Sequence, residues 1–384
     1  MKILLVGEYS NLHKSLKEGL VHLGHEVTVV GLGDGFKQIT TDINLNERYT
    51  SGFPLFIKKV IYKLFKIDIT SLSIKKQFFS QQNNFTNYDV VQLINENAFK
   101  CIPKIEKQVL QFIFNHNKNV FLLSCGTDYL SVKYAFEKKF RYSILTPYFE
   151  KKGSEKLFMP ATKYLTPAYK ELHTFIYQNI QGVIASDLDY HIPLTGNDKY
   201  LGMVPNPVNA ANIPFIPMTS EEKIVIFHGI NVNNYYKKGN DIFEDALAII
   251  QQKFPKQIEI ITTRSVPYAV YIESYNRAHI LLDQVFAYDQ GFNALEAMSK
   301  GKVVFTGAEK EWRDYYGLAE DTVAINALPD ANAIVEKIIW LIENPSKIIE
   351  IGKAARAFVE KEHDYKKSAQ GYLTTWTSAL KNEA

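Results

Sequence analysis

Two α/β domains, each built on a doubly wound parallel sheet, are predicted by three features of this sequence. At 384 residues the chain exceeds what one hydrophobic core usually organises. Short apolar, β-rich runs alternate with segments of helical periodicity along most of its length. Near the middle the segment Val204-Pro205-Asn206-Pro207-Val208-Asn209 breaks the alternation, and the pattern then restarts. The expected domains are residues 1–208 and 209–365, facing each other across a cleft.

The elements can be taken in order. The apolar run 3–6 is followed by a polar turn, by Leu12, Leu16, Leu20 and Leu23 at helical spacing, by Gly24 as a stop, and by a second run at 26–30. Strand, helix, strand opens a parallel sheet. Runs at 89–94, 119–124 and 182–185 continue the first domain. After the connector, strands are expected at 224–227, 258–261, 279–283 and 303–306, and helices at 239–254 and 292–300. Ligands of such sheets bind beyond the carboxyl ends of the strands, so both domains should offer residues to one cleft. Paired α/β domains serve many activities, and the arrangement alone does not fix one.

Composition narrows the classes. A net charge of +3 is too weak to argue for nucleic acid as the main ligand. Two cysteines, Cys101 and Cys125, are not a disulfide framework and fit a reducing compartment, the cytoplasm. The opening MKILLVGEYS loses its apolar character at Glu8 and reads as a first strand rather than a signal peptide. No run approaches the ~18 apolar residues that cross a bilayer. Residues 56–67 put Lys59, Lys63 and Lys66 on one helical face, with Phe56, Val60, Ile61, Leu64 and Phe65 largely elsewhere. A surface helix covering its own core is the commoner meaning of this pattern. Docking on the inner membrane face, aided by Lys75 and Lys76, is the alternative.

The chemistry concentrates between residues 281 and 307. A loop containing Gly291 brings backbone close to a ligand, and the first helical turn, Phe292, Asn293 and Ala294, presents unpaired amides to a diphosphate. Glu296 can accept hydrogen bonds from a ribose or sugar diol in the same cleft, and Gly301 ends the helix. This segment, with Gly291, Glu296-Ala297-Met298 and Gly301-Lys302, resembles the donor-site signature of retaining glycosyltransferases of family 4, the glycosyl transferases group 1.

That resemblance implies a GT-B fold and a retaining, hexosyltransferase-type glycosyltransferase. The acceptor would sit mainly on the first domain, the nucleotide-diphosphate sugar on the second, and the last helix, about 366–384, would return to the first domain. It implies Glu296 and Lys238 as the principal functional residues. Lys238 matches a lysine that clamps the donor diphosphate, in a run of strand, glycine turn at Gly229 and Lys-Gly helix entry. The family's neighbouring arginine falls near Asn231, and Arg264 is the candidate for the missing charge. The family's first glutamate falls on Tyr288, so either that phenol or the adjacent Asp289 would meet the sugar, beside Gln290. In the first domain Gly7 and Glu8 resemble the loop that seats the substrates. Asp128 follows the loop where the family has a histidine and this chain has Ser124-Cys125.

Other patterns carry less. A dinucleotide-binding Gly-x-Gly-x-x-Gly is missing after the first strand, where only Gly7 stands, and the cluster 31–35 has the wrong spacing. Asp187-Leu188-Asp189 has the Asp-x-Asp form used elsewhere to hold a metal between phosphates. With Lys238 and a helix end at the diphosphate, neither a metal nor a separate cofactor is expected. Glu309, beyond the next strand, is not assigned to the donor. The expected partners are a nucleotide-sugar donor and a glycan, lipid-linked or small-molecule acceptor, with no nucleic acid. A sugar-nucleotide epimerase and a catalytically silent sugar-nucleotide-binding protein remain as alternatives.

Overall fold

The computed structural model describes residues 1–33, 36–37, 39–219 and 223–381. The first sheet contains β1 (Lys2–Val6), β2 (Glu26–Gly31), β3 (Ile43–Asn44), β4 (Val90–Leu93), β5 (Val120–Ser124), β6 (Gly182–Ala185) and β7 (Tyr200–Met203). Their order is β3-β2-β1-β4-β5-β6-β7, all parallel. The second sheet contains β8 (Ile224–Ile230), β9 (Ile258–Arg264), β10 (Ile280–Leu282), β11 (Val303–Thr306) and β12 (Ile325–Asn326), ordered β12-β11-β10-β8-β9 and again parallel. Parallel strands covered by helices on both faces must be apolar throughout, and β4, β5 and β6 are buried at every position. Three edge strands were not expected. β3 and β12 are two residues long, and β7 is half-exposed and contains Gly202, so none carries a readable apolar run.

In the first half the helices are α1 (Leu12–His22), α2 (Gly52–Phe65), α3 (Ile69–Ser80), α4 (Pro103–His116), α5 (Tyr129–Phe136), α6 (Thr146–Phe149), α7 (Glu155–Thr162), α8 (Pro167–Asn179) and α9 (Leu188–Leu194). The second half carries α10 (Asn240–Lys253), α11 (Tyr268–Arg277), α12 (Phe292–Ser299), α13 (Lys310–Tyr316), α14 (Ala331–Glu343), α15 (Pro345–Glu362) and α16 (Tyr365–Lys381).

α16 belongs to the core of the first sheet, not the second. Ala369, Tyr372, Leu373 and Trp376 are buried with Leu12, Leu16 and Leu20 of α1 and with Phe121 of β5. The Trp376 indole donates to Gln92 Oε1 of β4 at 2.9 Å, so a polar tip inside this core has its partner. Gly19 makes the helix contact feasible, since a Cβ there would lie 2.3 Å from the Tyr365 carbonyl oxygen. Residues 382–384 of the expected last helix lie outside the described residues.

The chain passes between the sheets twice, and the two passages are fastened together. Val208 N–H donates to the His363 carbonyl at 2.7 Å, and His363 Nδ1 bonds the Asn206 carbonyl at 3.0 Å. His363 is buried, and that burial holds its imidazole down at about 4, neutral at ordinary pH.

One expectation is corrected. α2 does not cover a core: none of its residues is buried, and it touches the rest of the protein mainly through α3.

Candidate functional site

The carboxyl ends of β8 and β10 and the start of α12 meet at one corner of the cleft. Lys238 is turned into it by the next residue. Gly239 adopts φ +70°, and a Cβ there would lie 2.6 Å from Val285, so only glycine fits both the backbone and the close approach. Lys238 Nζ then reaches Asp283 Oδ1 at 2.9 Å, and Asn293 Nδ2 donates to the same oxygen at 3.0 Å. Tyr271 of α11 donates to Asn293 Oδ1 at 2.9 Å, which fixes the amide's orientation. Asp283, expected only as a strand end, is the buried carboxylate that organises this corner.

Gly291 is the N-cap of α12, with φ −76° and ψ 167°. That is ordinary extended backbone, so its freedom of conformation is not what the position uses. A Cβ there would find nothing closer than Gln284 Nε2 at 4.0 Å, so the glycine leaves open space in front of the amides of Phe292, Asn293 and Ala294. Glu296, one turn on, pairs with Lys37 Nζ at 2.9 Å, and Lys37 also stands 5.6 Å from the centre of the Phe292 ring. Lys37 comes from the other domain, just after the glycine cluster 31–35. Of that cluster Asp34 and Gly35 lie outside the described residues.

Two open spaces flank the α12 start. One, of about 1030 Å³, is bordered by Gly229, Asn231, Lys238, Tyr271, Asn293 and Phe36. The other, of about 760 Å³, lies between the domains against Gly126, Thr127, Asp187, Asp289, Gln290 and Gly291. Phe36 reaches over from the first domain and packs edge-on against Tyr268 and Tyr271.

Tyr288 and Asp289 bind the opposite domain rather than the first space. The Tyr288 hydroxyl accepts from Arg141 N–H at 2.8 Å, and its ring packs against Phe140 and Tyr142. Asp289 accepts from Leu188 N–H at 3.0 Å through one oxygen and from Gln290 N–H at 2.6 Å through the other. Asp189 answers by accepting from the amides of Tyr288 at 3.1 Å and Asp289 at 3.3 Å. Gln290 Nε2 donates to the Gly307 carbonyl at 2.6 Å. Gly307 is required there, because a Cβ would lie 2.6 Å from the Asp289 backbone.

Burial of these carboxyls raises their proton affinity, Asp189 to about 7 and Asp289 to about 6, while Asp187 is raised well above its usual range by burial and by Asp189 and Asp289. The Asp-x-Asp pattern is thereby accounted for. Asp187 caps α9 by accepting from Asp189 N–H, and Asp189 clasps the facing loop.

The remaining expected residues are dispersed. Arg264, paired with Ile230 in the β8–β9 ladder, forms an ion pair with Glu244 and lies 5.8 Å from the Tyr235 ring centre. Asn231 borders the larger space while its side chain accepts from Asn233 N–H at 3.0 Å. Gly229 lets the Tyr271 ring approach, since a Cβ would lie 2.5 Å from it. In the first domain Gly7, at φ +90°, packs against Ile94. Glu8 accepts from Lys14 N–H at 2.8 Å in the first turn of α1. Asp128 caps α5 by accepting from Ser131 N–H at 2.7 Å, and the Ser124 hydroxyl donates to its other oxygen.

Sequence reasoning missed Lys37, Phe36, Asp283 and Tyr271. It also missed a buried pair after β4, Glu96 Oε1 with His173 Nδ1 at 2.6 Å, where burial raises the carboxyl's proton affinity. The glycine cluster before Phe36-Lys37 was a usable signal for the first two. Nothing in the sequence brings Glu96 and His173 together.

Comparison with known proteins agrees with this architecture. Residues 238–374 match the family model described as glycosyl transferase-like. Sucrose-phosphate synthase from Thermosynechococcus elongatus superposes with a TM-score of 0.63 at 13% identity, over 100% of both chains. Anabaena HepE, solved in complex with UDP and glucose, gives 0.57 at 13% identity over 98% of this chain and 100% of that one. A glycosyltransferase from Rickettsia africae gives 0.51 at 14% identity over 99% and 98%. No curated protein matches by sequence. The chain thus has the two-sheet fold of GT-B glycosyltransferases, and its second half, which holds Lys238 and Glu296, is glycosyl transferase-like in sequence.

Proposed function

We propose that the protein is a glycosyltransferase that moves a hexosyl-type sugar from a nucleoside-diphosphate donor to an acceptor held against the first domain. The observation that carries this is the corner where the α12 amides, Lys238 and Lys37 converge between two open spaces. A diphosphate placed there meets a helix N-terminus and two cations. The nucleoside takes the larger space beside Tyr271, with Glu296 accepting from its ribose diol. The sugar points past Gly291 into the space between the domains, toward Gly126 and Thr127.

The charge that develops on the leaving diphosphate is stabilised by groups already aimed at it, which is the main way a protein lowers such a barrier. We assign no protein nucleophile. The donor's own phosphate receives the acceptor proton as the nucleotide departs, a route that retains the anomeric configuration. Lys238 and Lys37 take the neutralising role that a divalent metal plays elsewhere, so the reaction is proposed to be metal-independent. The unpaired Cys101 and Cys125 accord with a cytoplasmic setting.

The test is a thermal-shift screen over nucleotide sugars, followed by turnover with the donor that stabilises most, before and after exhaustive chelation. Transfer or slow hydrolysis with the α-configured sugar released from an α-configured donor is expected, with chelation leaving the rate unchanged. A product still attached to the nucleotide would establish an epimerase instead, and stabilisation without turnover a binding protein.

A further inference from the structure

The feature that the proposed reaction leaves unused is α2. Its partly shielded residues, Leu55, Lys58 and Ile61, recur every three positions and mark the side toward the protein, where Lys58 pairs with Asp68 at 3.3 Å. The opposite side is apolar and faces solvent. Counted from Phe53, Phe56, Ile57, Val60 and Leu64 fall at i+3, i+4, i+7 and i+11, which puts them with Phe53 on one stripe. Phe53 is 72% exposed, Phe56 62% and Leu64 66%. Lys59, Lys63 and Lys66 run along the edge of that stripe. From residue 48 to residue 67 the chain holds Arg48, Lys58, Lys59, Lys63 and Lys66 and no acid.

We propose that α2 is a peripheral membrane anchor that lies in the headgroup layer of an anionic bilayer. The apolar stripe enters the acyl boundary while the lysines meet lipid phosphates. Charge decides the occupant. A second copy of this chain would bring two acid-free, five-cation segments face to face, whereas an anionic lipid surface complements both the stripe and its edge. No helix among the described residues is long and apolar enough to cross a membrane, so the contact is one of surface insertion.

The anchor's place matters for what it delivers. α2 leads directly into the start of α3, where the Ser71 hydroxyl accepts from Ile102 N–H at 2.9 Å, beyond the carboxyl end of β4. The helix thus stands on the cleft side of the first sheet, and a surface bound by α2 lies next to the open ends of the strands.

The experiment is co-sedimentation of the full chain with vesicles of phosphatidylcholine alone or mixed with phosphatidylglycerol, at low and high salt. We expect binding to the anionic vesicles, at least about tenfold weaker binding to neutral ones, and weakening by salt. Lys59→Gln and Lys63→Gln should each lower partitioning by about fivefold. Phe56→Ser with Leu64→Ser should abolish it with an unchanged melting temperature, because both side chains are exposed. The proposal is overturned if the wild type stays in solution with anionic vesicles at low salt, or if the serine variant binds as well as the wild type. It is overturned equally if the wild type is a dimer that the serine changes dissociate and neither form binds vesicles.

Discussion

Lys37 Nζ lies 2.9 Å from Glu296 Oε2, an ion pair that joins the two domains over the start of α12. In the proposed donor complex the same lysine would meet the diphosphate at the helix end, and the same carboxylate the ribose. Glu296→Gln keeps the shape and loses a charge-assisted acceptor, so donor affinity or kcat/KM should fall about ten- to a hundredfold with the fold intact. Glu343→Gln, exposed at the end of α14, should change nothing. Glu309 is unsuitable as the control, because it binds Arg141 at 2.6 Å, Asn326 at 2.7 Å and the Tyr142 hydroxyl. Wild-type affinity in Glu296→Gln would reduce that residue to a partner of Lys37.

Lys238→Ala separates the diphosphate from the nucleoside. Calorimetry should show affinity for a nucleoside diphosphate falling by about tenfold or more, a charged hydrogen bond being worth roughly 1.5–3 kcal/mol, with affinity for the free nucleoside unchanged. Equal loss of both would mean that the lysine supports the corner through Asp283 rather than meeting phosphate.

Asp189 and Asp289 clasp the domains by exchanging backbone amides, Leu188 N–H to Asp289 and Tyr288 and Asp289 N–H to Asp189. Asp189→Ala leaves the amides of 288 and 289 without acceptors. Hydrogen exchange at these two amides should accelerate, by about tenfold or more for the roughly 1–3 kcal/mol lost with a buried partner. In the same variant, scattering should show a larger radius of gyration that donor restores by closing the domains about residues 204–209. Unaltered exchange at 288 and 289 would show that the clasp is already open in solution.

The two fastened passages make stability depend on acid. His363 and His13 are both buried and held at about 4. Each folded imidazole therefore binds fewer protons than the unfolded one between about 4 and 6.5, and its contribution is complete above 6.5 and lost as pH falls through that window. Glu106, pushed up to about 8 by burial, acts in the opposite sense as pH rises, so the comparison must be between variants. His363→Gln keeps a donor for Asn206 and removes one titration. Its stability should gain on the wild type by an amount on the order of 2 kcal/mol between pH 7 and pH 5. A constant gap in melting temperature across that range would show that His363 does not carry the dependence.

The central strands and the α12 start were legible because burial on both faces writes itself as apolar runs and because a helix end has few acceptable residues. Lys238 could be placed for the same local reason, Gly239 being forced by its neighbour Val285. What was not legible is whatever depends on facing domains. Tyr288 and Asp289 follow the right strand and precede the right helix, yet their side chains are claimed by Arg141 and Leu188, each more than a hundred residues away in sequence. Arg264 pairs with Glu244 of α10, a partner that spacing does not show, while Lys37 arrives from the other domain. α2 carried the opposite lesson, since a helical apolar stripe shows that one side is hydrophobic and is silent on what it faces.

Trp376 and Tyr372 sit in the core formed with β4, β5 and α1, although more than a hundred and fifty residues of second domain come between. During synthesis the first domain therefore emerges first and is completed last. Its α1 face must wait, uncovered, until the second domain has been made and the final helix has left the ribosome.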